Sequence, residues 1–207
     1  GSMGGEDKFG LAARAVREGI EQLAPTDRFA VVVYDGEVDV IAPARAADAA
    51  AKREAIRSLQ EVGPRGSTDL GGGWMRGAEQ VAEALATNGV NRVLLLTDGL
   101  ANHGITDPSE LCRHAAELRA RGVSTSTFGV GTDFDERLLG GMADAGGGAF
   151  RYIERPDQIR PYLAAEVGEL LQVTARAAEL RIAGPEGLRV SCLAPFPLRS
   201  EEHTSEL

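Results

Sequence analysis

The stretch RVLLLTDG (residues 92–99) decides how the rest of this chain reads. Four consecutive apolar residues, bounded by Arg92 and by the turn pair Asp98-Gly99, describe a short strand covered on both faces. A strand of that kind needs parallel neighbours in its sheet and helices above and below it, and the flanking sequence supplies the helices. Residues 74–86 read as a helix, and a second runs from Asp107-Pro108 to about Arg121. Its aspartate suits the N-cap, and its proline suits the first helical position.

The same alternation continues in both directions. Downstream come a strand VSTSTFGVG (123–131), a helix DERLLGGMADA (135–145), a short strand AFRYIE (149–154) and a helix over 157–171. Upstream, Phe9, Ala12, Ala13, Val16, Ile20 and Leu23 form the apolar stripe of an amphipathic helix over 6–23. RFAVVVYD (28–35) is a β-branched run expected to be buried on both faces, and Asp35-Gly36 turns it into an antiparallel partner, EVDVIAP (37–43). A helix over 47–59 and a Gly-rich loop GPRGSTDLGGG (63–73) follow. Strands alternating with helices predict an α/β, doubly wound, mostly parallel sheet with helices on both faces. Ligands bind such sheets outside the C-terminal strand ends. No phosphate-binding G-x-x-x-x-G-K-[ST] or post-strand G-x-G-x-x-G pattern occurs, so nucleotide binding has no support.

Composition narrows the function further. A net charge of −9 leaves no basic surface to neutralise phosphates and argues against a nucleic-acid partner. No apolar run approaches the roughly 20 residues of a membrane span. Cys112 and Cys192 make no metal or redox spacing, and Cys112, within a helix, reads as a buried free thiol.

Three polar elements belong to one rim of the expected sheet: Ser2 before the first helix, Thr68 in the Gly-rich loop, and Asp98 after RVLLL. Hydroxyls and carboxylates are hard oxygen donors, suited to Mg²⁺ or Mn²⁺ and poorly to Zn²⁺. Taken singly, Ser2 reads as a helix cap, Thr68 as a turn residue and Asp98 as a post-strand turn. Together, in this order, GSM (1–3), GSTDLGGG (66–73) and VLLLTDG (93–99) resemble the D-x-S-x-S, Thr-loop and Asp elements of a von Willebrand factor A domain. The resemblance extends through DRFAVVVYD (27–35) and GVSTSTFGVGTDFDERLLGGMADAGGGAFRYI (122–153) to about residue 172. These segments are similar to bacterial members grouped with calcium-activated chloride channel homologues.

That resemblance implies a Rossmann-like sheet whose first, central strand precedes residue 1, so that residues 30–34 and 93–97 are expected either to face each other across an open lane or to close up and pair directly. It implies a metal-ion-dependent adhesion site with Ser2, the second Ser of the motif, and Thr68 as hydroxyl ligands and Asp98 coordinating directly or through water. The motif's Asp and first Ser would precede residue 1, so metal binding by the sequence given is expected to be impaired. The rim around it would comprise Gly66, Ser67, Gly99, Asn102 and His103. The cofactor would be Mg²⁺ or Mn²⁺, and the partner a protein presenting an acidic side chain. The competing readings are a metal-assisted hydrolase, for which no G-x-S-x-G nucleophile motif is present, and a metal-free scaffold. Trp74 is expected to pack on the sheet, and Gly71, Gly72 and Gly73 to permit close backbone approach. Residues 1–172 are expected to form the domain and 173–198 the start of a β-rich accessory region. RSEEHTSEL (199–207) resembles a translated sequencing adapter.

Overall fold

A computed structural model of the chain describes residues 8–63, 67–86 and 89–171. The chain divides into two compact units, Gly1–Val173 and Thr174–Leu207, and every described residue belongs to the first. The expected accessory region, the tail and Ser2 lie outside the described residues.

The elements run in order α1 (Lys8–Gln22), β1 (Arg28–Tyr34), β2 (Val38–Ala46), α2 (Ala49–Gln60), α3 (Leu70–Ala82) and β3 (Arg92–Thr97). They continue with α4 (Pro108–Ala120), β4 (Ser124–Val130), α5 (Glu136–Gly146), β5 (Gly147–Ile153), a short turn at Pro156–Gln158 and α6 (Ile159–Leu171). Aspartate side chains cap four helices: Asp48 before α2, Asp69 before α3, Asp107 before α4 and Asp135 before α5. Each accepts at least one otherwise orphaned backbone N–H of the first turn. The cap at Asp69 corrects the expectation that α3 starts at Trp74. The helix starts at Leu70 and runs through all three glycines.

β1 and β2 form an antiparallel pair, and β3, β4 and β5 form a separate parallel sheet with β4 in its centre. Among the described residues no strand lies between β1 and β3, the arrangement expected of the open lane. This also corrects the expectation that β1 is buried on both faces. Phe29 to Tyr34 are half-buried, because β1 has a ladder neighbour on one side only. β3, by contrast, alternates, with Val93, Leu95 and Thr97 buried.

Helices join the two sheets. On one face α1 packs Ala12 and Ala15 with Phe128, Val130 and Ile153, while Ile20 near its other end meets Ala42 of β2 and Ala55 of α2. On the other face α3 packs against β1, β2 and β3 together. A polar bond completes the join: Tyr34 Oη donates to the carbonyl of Leu96 at 2.8 Å. The ring reaches it because Gly73 carries no side chain; a Cβ there would lie 2.3 Å from Tyr34 Cγ.

The polar run of β4 is buried, and each hydroxyl is partnered. Thr125 Oγ1 accepts from Trp74 Nε1 at 3.2 Å, so Trp74 packs on the sheet as expected. Ser126 Oγ donates to Glu166 Oε1 at 2.6 Å, and Thr127 Oγ1 to the Leu139 carbonyl at 2.8 Å. Glu166, fully buried on α6, also accepts from Arg92 Nη1 at 2.7 Å. Removing Arg92 would leave the buried Glu166 carboxylate without its cation.

Tyr34→Phe removes the donor to the Leu96 carbonyl and is expected to lower the unfolding free energy by about 1–3 kcal/mol. Burial is the main cause that pushes the phenol pKa above its ordinary value; a bond with Thr97 opposes the shift and Asp98 adds to it. The folded state therefore keeps a proton that the unfolded chain releases near pH 10, roughly the ordinary tyrosine value. The stabilisation is complete below that pH and declines as pH rises above it. Urea unfolding should show the wild-type advantage at pH 7 and its shrinkage above roughly pH 10. Equal stabilities at pH 7 would remove the bond from the account.

Candidate functional site

The loop that follows β3 and the loop that precedes α3 meet at one rim. The β3 end holds Thr97, Asp98 and Gly99, all buried. Thr97 Oγ1 folds back on the turn, within 3.3 Å of both the N–H and the carbonyl oxygen of Gly99. Gly99 thus sits beneath the surface of the rim, while Asn102 and His103 are exposed on it. The loop before α3 is anchored to β1, where the Asp69 N–H donates to the Asp35 carbonyl at 2.6 Å. Ser67 is exposed over the β1–β2 turn, close enough that a Cβ on Gly36 would approach its Oγ to 2.7 Å.

The two loops hold each other. The Thr68 N–H donates to Asn102 Oδ1 at 2.9 Å, and the Asn102 N–H donates to the Thr68 carbonyl at 3.2 Å. Asn102 thereby fixes Thr68 to the loop that begins at Asp98. Asp69, capping α3 through the Gly72 N–H at 2.8 Å, also lies 3.7 Å from His103 Nδ1. Gly104 completes the turn with φ +68°, a conformation that L side chains rarely adopt. Of the expected site residues, then, Thr68, Asn102 and His103 share one loop cluster with Asp98 at its base. Ser67 lies toward the β1–β2 turn, and Ser2 and Gly66 lie outside the described residues.

Asp98 is the electrostatic centre of the rim. Its side chain is 3% exposed, and the ammonium of Lys8, at the first turn of α1, lies 3.5 Å from Oδ2. A carboxylate so deeply withdrawn from water requires a nearby cation or hydrogen-bond donors to stay charged. Sequence reading passed over Lys8, Tyr34 and Asp69. Lys8 and Asp98 are far apart in the chain and no local pattern marks such a pair; Asp69 was legible as a cap within TDLGGG.

The chemistry fits a hard cation in kind. A buried carboxylate already balanced by positive charge and a hydroxyl on an adjacent loop are oxygen donors of the type Mg²⁺ takes. Among the described residues no three His, Cys, Asp or Glu side chains converge as a metal-binding group. The D-x-S-x-S, Thr and Asp elements of the resemblance comprise two carboxylates and three hydroxyls, of which Thr68 and Asp98 lie among the described residues.

A family model for the von Willebrand factor type A domain matches residues 1–160. The chain belongs to that family. Members generally mediate protein interactions, in some cases through a metal-ion-dependent adhesion site. The chain is 29% identical over 183 residues to the Escherichia coli protein YfbK, a match covering 88% of this chain and 32% of the relative. It is 27% identical over 144 residues to pig inter-alpha-trypsin inhibitor heavy chain H1, covering 67% of this chain and 16% of that one. The chain thus spans about a third or less of these curated relatives. Among solved structures, a von Willebrand factor type A protein from Catenulispora acidiphila superposes with a TM-score of 0.72 at 23% identity, covering 83% of this chain and 40% of that one. Mussel byssus proximal thread matrix protein 1, solved with its adhesion-site motif occupied by zinc, gives 0.63 at 20% identity, covering 78% and 42%. These likenesses show the von Willebrand factor A fold. No described helix is long and apolar enough to cross a membrane.

Asn102→Ala removes the acceptor for the Thr68 amide and leaves the reciprocal backbone bond in place. Amide hydrogen exchange at Thr68 should accelerate, while the thermal midpoint moves little because the lost bond is exposed. Unchanged protection at Thr68 would show that other contacts hold the loop.

Proposed function

We propose that this chain is a metal-ion-dependent protein-binding module whose site is built on Asp98 and Thr68, with Ser2 as a further hydroxyl ligand. The observation that supports it most is the buried Asp98 carboxylate on the rim where the Thr68 loop is held. Mg²⁺ or Mn²⁺ bound there would supply an open coordination position, to which an acidic side chain of a partner protein adds. Asp98 would contribute negative charge and Thr68 and Ser2 neutral oxygens, and the positive charge the ion then retains would keep that position receptive to a carboxylate. Gly66, Ser67, Gly99, Asn102 and His103 shape the surface the partner meets: Asn102 and His103 by exposed side chains, Gly99 through the buried turn beneath them.

The second reading, a metal-free scaffold, is favoured by one observation. Lys8 already neutralises Asp98, so the rim is electrostatically complete without a dication. The two readings separate on Lys8. If the ammonium competes with a metal for Asp98, Lys8→Met should tighten Mg²⁺ binding about tenfold, or about 1.4 kcal/mol. It should also lower the thermal midpoint in chelator and recover it in millimolar Mg²⁺. Asp98→Ala should abolish the Mg²⁺ heat in calorimetry. An isotherm unchanged by Asp98→Ala, or a Lys8→Met protein indifferent to Mg²⁺, would leave the scaffold reading standing.

A further inference from the structure

Along the same rim from Asp98, an open groove of about 840 Å³ separates the loop after β3 from α5, with Leu100, Phe134, Glu136, Asp144 and Phe150 among its walls. Its floor is aromatic by construction. Gly129 of β4 has no side chain, and a Cβ there would lie 2.3 Å from the Phe134 ring, so the ring rests directly on the strand. Phe150 meets that ring edge-on at 6.2 Å, and Tyr152 leans on it at 5.7 Å. Leu100, in its wall, and Tyr152, against the Phe134 ring, are 55% and 43% exposed. Isolated exposed apolar residues need no explanation, whereas a contiguous set beside a groove marks an interaction surface.

The walls around this floor are acidic. Asp135, Glu136 and Asp144 line the groove against one cation, Arg137, and exposed Asp133 adjoins it. Asp135 is committed to capping α5 through the Leu138 N–H at 3.0 Å. Glu136 and Asp144 are exposed on α5 and turn negative charge toward the opening.

We propose that this groove docks a segment of the partner protein that alternates cationic and apolar side chains. Arginine or lysine stems would lie across the Phe134 floor, with their heads at Glu136 and Asp144. The apolar residues between them would cover Leu100 and Tyr152. The acidic walls repel nucleic acid and anionic lipid alike, and an opening this wide suits a polypeptide better than a small ligand. The inference rests on the reading of this rim as the partner-binding face. It adds that the partner carries, beside the acidic residue directed at the open metal position, a basic and apolar stretch.

The test uses the 207-residue chain and a fluorescent octapeptide alternating arginine and leucine, measured by anisotropy at low salt with EDTA present. A counterpart with glutamate in place of arginine serves as control. The cationic peptide should bind at least tenfold more tightly than the acidic one, and Glu136→Lys with Asp144→Lys should cost about tenfold or more. The same charge change made elsewhere, Glu21→Lys at the end of α1 with Glu61→Lys after α2, should cost far less. Equal losses from the two pairs, or no loss from the groove pair, would overturn the proposal by reducing the binding to bulk charge. With EDTA present, peptide binding is read without any metal. A failed Mg²⁺ titration of the unaltered chain, with peptide binding still sensitive to the groove pair, therefore rejects the metal site and keeps the groove.

Discussion

A β-strand has two edges, and each buried edge must find hydrogen-bond partners. β3 meets this requirement with β4 on one side, while on the other side β1 belongs to a different sheet. The rest of the described structure is organised around that seam. α1 lies across it on one face and α3 on the other, so hydrophobic burial holds together what no backbone ladder joins. At the rim end the phenol of Tyr34 supplies the Leu96 carbonyl with a donor from across the seam. That bond in turn requires Gly73 at the first turn of α3, because any side chain there would displace the ring.

The rim follows from the same geometry. A carboxylate at the end of a buried strand emerges among backbone and side chains, not into water, and Asp98 is accordingly 3% exposed. Burying that charge is costly without a counter-ion or hydrogen-bond donors. Lys8 meets the need by beginning α1 at the rim, which makes the helix that crosses the seam also the carrier of the counter-charge. Any dication at Asp98 therefore enters a site that already has an occupant, and its affinity is the difference between two interactions.

Much of this was legible in sequence because it is local. RVLLLTDG, the Asp-Pro start of α4 and the Asp-Gly turn after β1 are short-range patterns, and the elements they imply are present. The start of α3 was misread because three glycines in a row look like loop; the capping carboxylate of Asp69 and tight packing against Tyr34 outweigh their poor helix propensity. β1 looked like a doubly buried strand because hydrophobicity records what a segment is suited to, whereas burial depends on its neighbours. The rim pairs Lys8–Asp98 and Thr68–Asn102 are set by tertiary approach, which leaves no periodicity to read.

Seam and rim are chemically continuous. Tyr34, which bridges the sheets, interacts with the Thr97 side chain, and Thr97 Oγ1 supports the turn at Gly99. Asp98 lies between those two residues in sequence, and its charge is one cause of the raised phenol pKa. A change in the distance between the sheets must therefore be felt at the turn that presents Asp98, and a change of charge at Asp98 must be felt by the group that closes the seam. In a low-dielectric setting such neighbouring groups polarise one another. The coupling has a direction: added positive charge at the rim lowers the cost of ionising Tyr34, while loss of the Asp98 charge removes a term that keeps the phenol neutral. The conformation of the seam and the electrostatics of the rim are thus linked through Tyr34, Thr97 and Asp98.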